Sequence, residues 1–302
     1  MIVKRFLVAM SILAALSSLV WAANPRPADG TPESDRERHF LWRASGPNGA
    51  EVYLLGSIHA LPEDTYPLAT EITDAFAAAH IVYFEIDMND TSSLGGRMMA
   101  AGALPPDKRL GDALDEKTRS LLDAYLEENG LSIGSFEAMK PWMAALALTS
   151  IELMKAGFSA DAGIDLHLAR RAHREGKAVK AFETADYQIE LFANMSEDES
   201  LSFLRYTLKD MDTVVSQLGD LTRSWKGGDV DMLSALLSDA FADEPELFER
   251  LVTVRNRVWL SRIDDLLSSK DTAMVVVGAL HLVGEGGLIE LLRNEGYRVE
   301  QL

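Results

Sequence analysis

The chain of 302 residues contains no cysteine. It therefore has no disulfide, no cysteine for lipid attachment and no thiolate that could bind a metal, so a metal site would have to use His, Asp or Glu. Basic residues are also scarce, because 29 Lys and Arg stand against 47 Asp and Glu and leave a formal net charge of -18. A surface this acidic repels nucleic acid and anionic lipid, and solubility is its simplest explanation. We expect no nucleic-acid partner.

Long hydrophobic runs are missing as well, since no stretch reaches the roughly 20 apolar residues that a transmembrane helix needs. The most apolar segment lies in residues 1–22, where Lys4 and Arg5 precede an apolar run that starts at Phe6, and small residues follow it. This pattern is typical of a secretory signal peptide. We expect export to the periplasm or the secreted space, without stable membrane insertion after cleavage. An uncleaved anchor is the alternative.

The composition changes after the signal segment. Residues 23–38 are rich in proline, charge and small side chains, which indicates a flexible lead-in. Residues 39–302 are expected to form one domain of the α/β (α+β) class, with a mixed central sheet and a large helical insertion at about 115–270. Strand-like runs cover residues 39–44, 51–58, 81–86, 178–182, 273–277 and 297–301. The turn-rich connection at 45–49 predicts that the first two form a hairpin.

Helical periodicity fills most of the middle of the chain. Residues 136–155 are apolar on nearly every side and predict a buried helix that Pro141 disturbs locally. Residues 159–175 predict a helix closed by Gly176, and residues 229–269 predict a long helical stretch broken near Pro245.

A Gly-x-x-His motif follows two of the predicted strands, at Gly56–His59 and again at Gly278–His281. Glycine at the strand end lets the backbone turn sharply or lets another group approach closely. Two imidazoles and a carboxylate are a common ligand set for zinc and other divalent ions. Taken singly, each histidine is better explained as a buried side chain with satisfied hydrogen bonds. The matched pair favours a metal site that folding brings together.

Two acidic residues stand at the ends of other apolar strands. Glu85 interrupts the run 82–86, and burying it without a partner would cost several kcal/mol, so it needs a metal, an arginine or a hydrogen-bond network. Asp87 either shares its face or caps the next loop. Glu183 ends the run 178–182, and its alternative role is the N-cap of a helix that starts near Ala185.

His59, Glu85, Glu183 and His281 thus each follow a predicted strand. Ligands of open α/β sheets bind outside the carboxyl ends of the strands, so these four residues predict a common site if the strands are parallel. Arg255, on an amphipathic helix, is a further candidate that could bind a carboxylate or an oxyanion if it points inward, and otherwise it lies on the surface.

Other polar features carry weaker signals. His167 and His173 lie among arginines on a predicted helix, where a solvated face is favoured. The glycine-rich segment 284–287 lacks the surrounding pattern of a dinucleotide site, and the acidic charge argues against phosphate.

At these residues the sequence resembles the TraB/PrgY/GumN family, which also contains the TIKI proteins. The matching segments run through almost the whole mature chain in order, and several carry the residues named above. They are Phe40-Leu41-Trp42, Leu54-Leu55-Gly56-Ser57-Ile58-His59, Phe84-Glu85-Ile86-Asp87, Lys140-Pro141-Trp142, Gly163-Ile164-Asp165, Phe182-Glu183-Thr184 with Gln188, Arg255-Asn256, and the segment from Val277 to Gly287.

The resemblance implies a fold like that of the erythromycin-esterase and ChaN group. For relatives of the TIKI type it implies a metal-dependent peptidase supported by ions such as manganese or cobalt. Carried over by position, it makes His59, Glu85 and His281 the metal-centred set, with Glu183 and Arg255 as supporting residues.

The sequence therefore predicts a metal-dependent hydrolase that acts on a peptide or small-molecule substrate. The ion, which could be Mn, Co or Zn, would acidify a water molecule and polarise the scissile carbonyl. Glu85 or Glu183 would act as general base and Arg255 would stabilise negative charge. The alternative is a non-catalytic periplasmic protein that binds a peptide or another ligand in the same cleft. A role in assembling envelope polysaccharide has only family names in its favour.

Overall fold

A mixed sheet of six strands crosses the part of the chain that the computed structural model describes, residues 38–88, 91–241 and 245–302. The strands are β1 (Leu41–Ser45), β2 (Glu51–Ser57), β3 (Ile81–Phe84), β4 (Ala178–Ala181), β5 (Thr272–Gly278) and β6 (Arg298–Gln301). Their order across the sheet is β4-β3-β5-β2-β1-β6. The predicted signal peptide, 1–22, and all but one residue of the predicted lead-in, 23–38, lie outside the described residues.

Four neighbouring strands, β4, β3, β5 and β2, are parallel. Their carboxyl ends therefore lie at one edge of the sheet. Strand β1 is antiparallel to both β2 and β6, and the predicted hairpin is confirmed, with Leu41 opposite Leu55 and Ser45 opposite Glu51. The predicted α/β class with a mixed central sheet is thus confirmed.

The central strand β5 is buried from Ala273 to its end, and the residues from Ala273 to Val277 are 0% exposed. Its edges pair with β2 and β3. A continuous apolar run is what a strand covered on both faces requires, since a polar side chain there would lose its water without gaining a partner. Polar groups can therefore enter this part of the protein only where the strands end.

Twelve α-helices are assigned within the described residues. They are α1 (Thr70–Ala78), α2 (Thr91–Gly102), α3 (Leu110–Ala113), α4 (Glu116–Glu128), α5 (Pro141–Lys155), α6 (Ile164–Arg174), α7 (Ala185–Ala193), α8 (Glu197–Lys226), α9 (Val230–Phe241), α10 (Pro245–Phe248), α11 (Val254–Leu267) and α12 (Leu288–Asn294). Most of them lie between β3 and β5 in the sequence, some before β4 and some after it. In the described ranges no helix is both long enough and apolar enough to span a bilayer.

Helix α5 begins at Pro141, so the prediction of a helix over 136–155 that this proline disturbs is wrong. Proline suits the first helical position because the backbone N–H there has no partner within the helix. The next residue, Trp142, donates its backbone N–H to Ser200 Oγ at 2.9 Å, which ties α5 to α8. Most of α5 is buried, as its apolar composition predicts.

The predicted helical stretch 229–269 is divided into α9, α10 and α11. Between α10 and α11, the five residues Glu249–Thr253 form a π-helical turn. Such wide turns offset the helix that follows and are frequent at functional sites. Arg255 is the second residue of α11 and comes directly after this offset.

The start of α6 packs closely on the segment that follows β2. The backbone N–H of Ile164 donates to the carbonyl of Ile58 at 3.1 Å. A Cβ at Gly163, the residue before α6, would lie 2.2 Å from the carbonyl oxygen of His59. Only glycine allows this approach, which brings α6 up to the end of β2.

We predict that Gly163→Ala destabilises the protein by about 1–3 kcal/mol, because two pieces of backbone must separate to admit the methyl group. Gly96→Ala is the matched control, since a Cβ at this position in α2 meets no atom within 4 Å. It should change the free energy of unfolding by less than about 1 kcal/mol, in the stabilising direction. Urea unfolding of both variants measures the difference, and equal midpoints would contradict the packing described.

Candidate active site

The carboxyl edge of the parallel strands carries the four residues that the strand ends predict. His59 follows β2, Glu85 follows β3, Glu183 follows β4, and His281 ends a short 3-10 turn after β5. A Cβ on Gly278 would lie 3.3 Å from Glu85 Oε1, 3.5 Å from His59 Nε2 and 3.7 Å from His281 Cδ2. The structure thus brings the two Gly-x-x-His motifs together, and Gly278 leaves the space between their side chains open.

Arg255 lies inside this cluster and is only 2% exposed, so it is not a surface arginine. Its Nη2 donates to Glu85 Oε2 at 2.6 Å and to Glu183 Oε2 at 2.9 Å, and its Nε donates to Glu183 Oε1 at 2.9 Å. Its Nη1 donates to the carbonyl of Leu251 at 2.9 Å and to His281 Nε2 at 3.1 Å. A guanidinium has five N–H groups, so each of them has a partner.

The two glutamates differ in how readily they take a proton. Burial favours the neutral form of Glu85, but the charges of Arg255 and the histidines outweigh it and lower its pKa to about 2. The backbone N–H of Gly278 supports that anion with a bond of 2.8 Å to Oε1. At Glu183 burial outweighs the charge and hydrogen bonds of Arg255 and raises the pKa. Trp259 Nε1 also donates to Glu183 Oε1 at 3.0 Å. Glu183 is therefore the better proton acceptor.

His281 is held as a neutral ring with a defined tautomer. Asn256 Nδ2 donates to the carbonyl oxygens of His281 and Gly286, which identifies Asn256 Oδ1 as an acceptor. His281 Nδ1 lies 2.7 Å from that oxygen and must carry the proton, so Nε2 has the lone pair that accepts from Arg255. Burial, together with the charge of Arg255, lowers the pKa of His281 to about 3.

His59 has the opposite environment. Its Nδ1 lies 2.6 Å from Asp165 Oδ2, and Ser57 Oγ donates to the other oxygen of Asp165 at 2.8 Å. Burial alone would lower the pKa of His59, but the charge and hydrogen bond of Asp165 outweigh burial and raise it to about 9. The ring is 6% exposed, and its Nε2 has no hydrogen-bond partner among the described residues. That nitrogen borders the space beside Gly278.

Arg255 limits how the cluster could hold a divalent ion. No three His, Asp or Glu side chains in residues 38–88, 91–241 and 245–302 form a ready set of metal ligands. Arg255 accounts for this, because it occupies His281 Nε2 and one oxygen of Glu85.

The charges and donors nevertheless suit a cation. Glu85 and Glu183 share the guanidinium of Arg255, and Asp165 pairs with His59, so these three buried carboxylates leave two negative charges when His59 is neutral. The unpartnered nitrogen of His59 and the nearby oxygen of Glu85 are donors that zinc, manganese and cobalt accept. The donor set therefore fits a divalent ion, with His281 Nε2 as its third member.

Sequence reasoning gave no role to several residues that orient this cluster. Asp165 and Asn256 each fix one histidine, and Gln188 Nε2 donates to Glu85 Oε2 at 3.0 Å. Trp259 packs on the ring of His281, with 4.5 Å between ring centroids. All but Trp259 lie in segments that carry the family resemblance, which was the available signal. No local pattern identifies which member of the cluster each one contacts.

The remaining candidates lie apart from the cluster. Asp87 is exposed whereas Glu85 is buried, so they do not form a buried carboxylate pair. His173 is exposed, as predicted for a solvated face. His167 is partly buried and stacks on Tyr66, with 4.3 Å between ring centroids.

Residues 40–301 match the TraB/PrgY/gumN family. The chain belongs to that family. It is 27% identical over 261 residues to the uncharacterized protein YbaP of Escherichia coli, a match that covers 85% of this chain and 95% of YbaP. It is distantly related to metalloprotease TIKI1, with 22% identity in the human protein, over 92% of this chain and 66% of the relative, and 24% in the Danio rerio protein, over 89% and 64%. No solved structure matches.

In the metal-free form of this TraB-family protein, the pKa values of the two histidines should be shifted in opposite directions. We predict that His59 stays protonated up to about pH 9 and His281 stays neutral down to about pH 3. The raised pKa of His59 contributes stability that is complete below its unfolded value of about 6.5 and is lost as the pH rises through 9. The depressed pKa of His281 contributes stability present above about 6.5 and lost as the pH falls. Imidazole nitrogen NMR measures both values.

Asp165→Asn provides the control for this assignment. The amide keeps the size of the side chain but removes its charge, so the pKa of His59 should fall while that of His281 stays low. A wild-type His59 that titrates at or below 6.5 would contradict the pairing.

Proposed function

We propose that this protein is an exported, metal-dependent hydrolase of peptide bonds. The observation that carries the proposal is the buried cluster in which two imidazoles and an excess of carboxylates surround the open space beside Gly278. When His59 is neutral this cluster has two uncompensated negative charges, which is unfavourable unless a cation enters it. The metalloprotease relatives support the choice of a peptidase.

In this proposal His59, Glu85 and His281 would hold a divalent ion such as Zn, Mn or Co. The bound ion would supply Lewis acidity, which lowers the pKa of water and polarises a carbonyl. Asp165 and Asn256 hold the Nδ1 atoms of His59 and His281 respectively, and this orients the two rings and leaves each Nε2 for the ion.

The three charged side chains take distinct catalytic roles. Glu85 remains an anion, because its pKa is about 2, and would serve as a ligand of the ion. Glu183, whose pKa burial raises, acts as general base. Arg255 stabilises negative charge on the substrate oxygen, and for this it must release one of the partners that now occupy its five N–H groups.

The second candidate is a protein that binds a peptide or small molecule without cleaving it. The complete hydrogen bonding of Arg255 favours this reading, because no N–H of its guanidinium is free for a substrate oxygen. The two functions differ in whether a peptide is shortened.

We further propose that residues 1–22 direct export to the periplasm or secreted space and that the protein meets its peptide substrate there. We also propose that the fold is of the erythromycin-esterase and ChaN type. The four parallel strands with a polar site at their carboxyl ends support it. An experimental structure of a metal-loaded form tests this assignment.

We predict that purified protein loaded with Mn, Co or Zn hydrolyses members of a peptide pool and that chelation abolishes this activity. His59→Ala and His281→Ala should each lose metal and at least about 100-fold of the hydrolysis, since each removes a ligand. His173→Ala, an exposed histidine, is the control and should match the wild type. Metal analysis and mass spectrometry of the pool are the measurements. Binding of peptides without cleavage at any ion concentration would favour the second candidate.

Gly278→Ala should block the site while leaving the fold intact. The added methyl group would stand 3.3–3.7 Å from atoms of Glu85, His59 and His281, which is tight but requires no backbone movement. We expect the free energy of unfolding to change by less than about 1.5 kcal/mol, whereas metal binding measured by calorimetry falls at least about tenfold. Unchanged binding would show that the ion does not lie beside Gly278.

A further inference from the structure

His281 has one lone pair through which it can act. Asn256 Oδ1 accepts the proton of its Nδ1, so Nε2 is the acceptor nitrogen of a neutral imidazole. Arg255 Nη1 already donates to that nitrogen at 3.1 Å. An imidazole nitrogen with one lone pair can accept this hydrogen bond or coordinate an ion, but it cannot do both.

We propose that Arg255 and the divalent ion compete for His281 Nε2, so that the guanidinium occupies this ligand until an ion displaces it. The inference rests on the metal site of the proposed function. It adds a second role for Arg255, which sets how tightly the ion binds and becomes available to substrate only after the ion has bound.

The remaining contacts of Arg255 explain why it need not leave the site. Four of its N–H groups bond to Glu85, Glu183 and the carbonyl of Leu251, and none of these involves His281. Trp259 also packs on the guanidinium, 4.7 Å from Cζ to the ring centroid. Loss of the single bond to His281 therefore leaves the side chain anchored, with one Nη1–H free of a protein partner. That N–H is the donor that an oxyanion would require.

Arg255→Lys tests the competition while keeping the positive charge. An ammonium has three N–H donors and will pair with the carboxylates before a neutral ring, so His281 Nε2 should be free. We expect Mn²⁺ and Zn²⁺ to bind this variant roughly tenfold more tightly than the wild type, measured by calorimetry at one pH. Arg257→Lys is the matched control, because Arg257 lies on the same helix, is exposed and pairs with Glu249, and its affinity should stay within about twofold of the wild type.

A second pair of variants tests the competition independently, in case Arg255→Lys does not fold. Glu183→Gln with Arg255→Met removes one charge of each sign, and it should bind ions more tightly than Glu183→Gln alone. In the wild type, addition of Zn²⁺ should shift the nitrogen resonance of His281 Nε2 while Nδ1 keeps its proton.

The outcomes separate this inference from the proposed function. If the wild type binds an ion through His59 and His281 and neither Arg255 variant binds it more tightly, the competition is wrong and the metal site stands. An unshifted His281 Nε2 in zinc-loaded protein overturns the competition as well. If neither the wild type nor any variant binds an ion, both proposals fail.

Discussion

The buried guanidinium of Arg255 is the interaction on which the site depends. It joins α11 to the ends of β3 and β4 through Glu85 and Glu183, three charged groups that are almost fully removed from water. Such a network gains little over an apolar core when complete, but loss of one member leaves an uncompensated buried charge and costs about 3–5 kcal/mol. The geometry of the strand ends is therefore maintained by a charge balance as well as by packing.

The same balance makes the two histidines unequal, although the sequence presents them as copies of one motif. His59 faces the anion of Asp165 and is held as a cation, with a pKa of about 9. His281 faces the neutral Asn256 and the cationic Arg255, and its pKa is about 3. In the absence of a metal, one proton on His59 and one hydrogen bond from Arg255 thus occupy the two imidazole nitrogens that border the site.

The sequence predicted the parts of this arrangement that periodicity and topology determine. Apolar runs predicted the strands, and parallel pairing then placed Glu85 and Glu183 at one edge with the histidines. Pro141 was misjudged because the same residue breaks a helix in its interior and begins one at its first position. Helix α2 was not predicted, since two adjacent glycines, Gly95 and Gly96, weaken its helical pattern.

Periodicity and topology could not predict the contacts of the site, because each contact joins residues that are far apart in the chain. His59 meets Asp165 across 106 positions and Glu85 meets Arg255 across 170. Local pattern shows that a buried acid needs a partner, but it does not distinguish an arginine from a metal. In this protein the guanidinium pairs with Glu85 and Glu183, and His59 pairs with Asp165. Once His59 is neutral, the three carboxylates exceed the one guanidinium by two negative charges, which matches the charge of a divalent ion. Arg255 and a bound ion would therefore neutralise different charges of the cluster. The arginine occupies atoms that an ion would use as ligands, but it also leaves negative charge that the ion would balance.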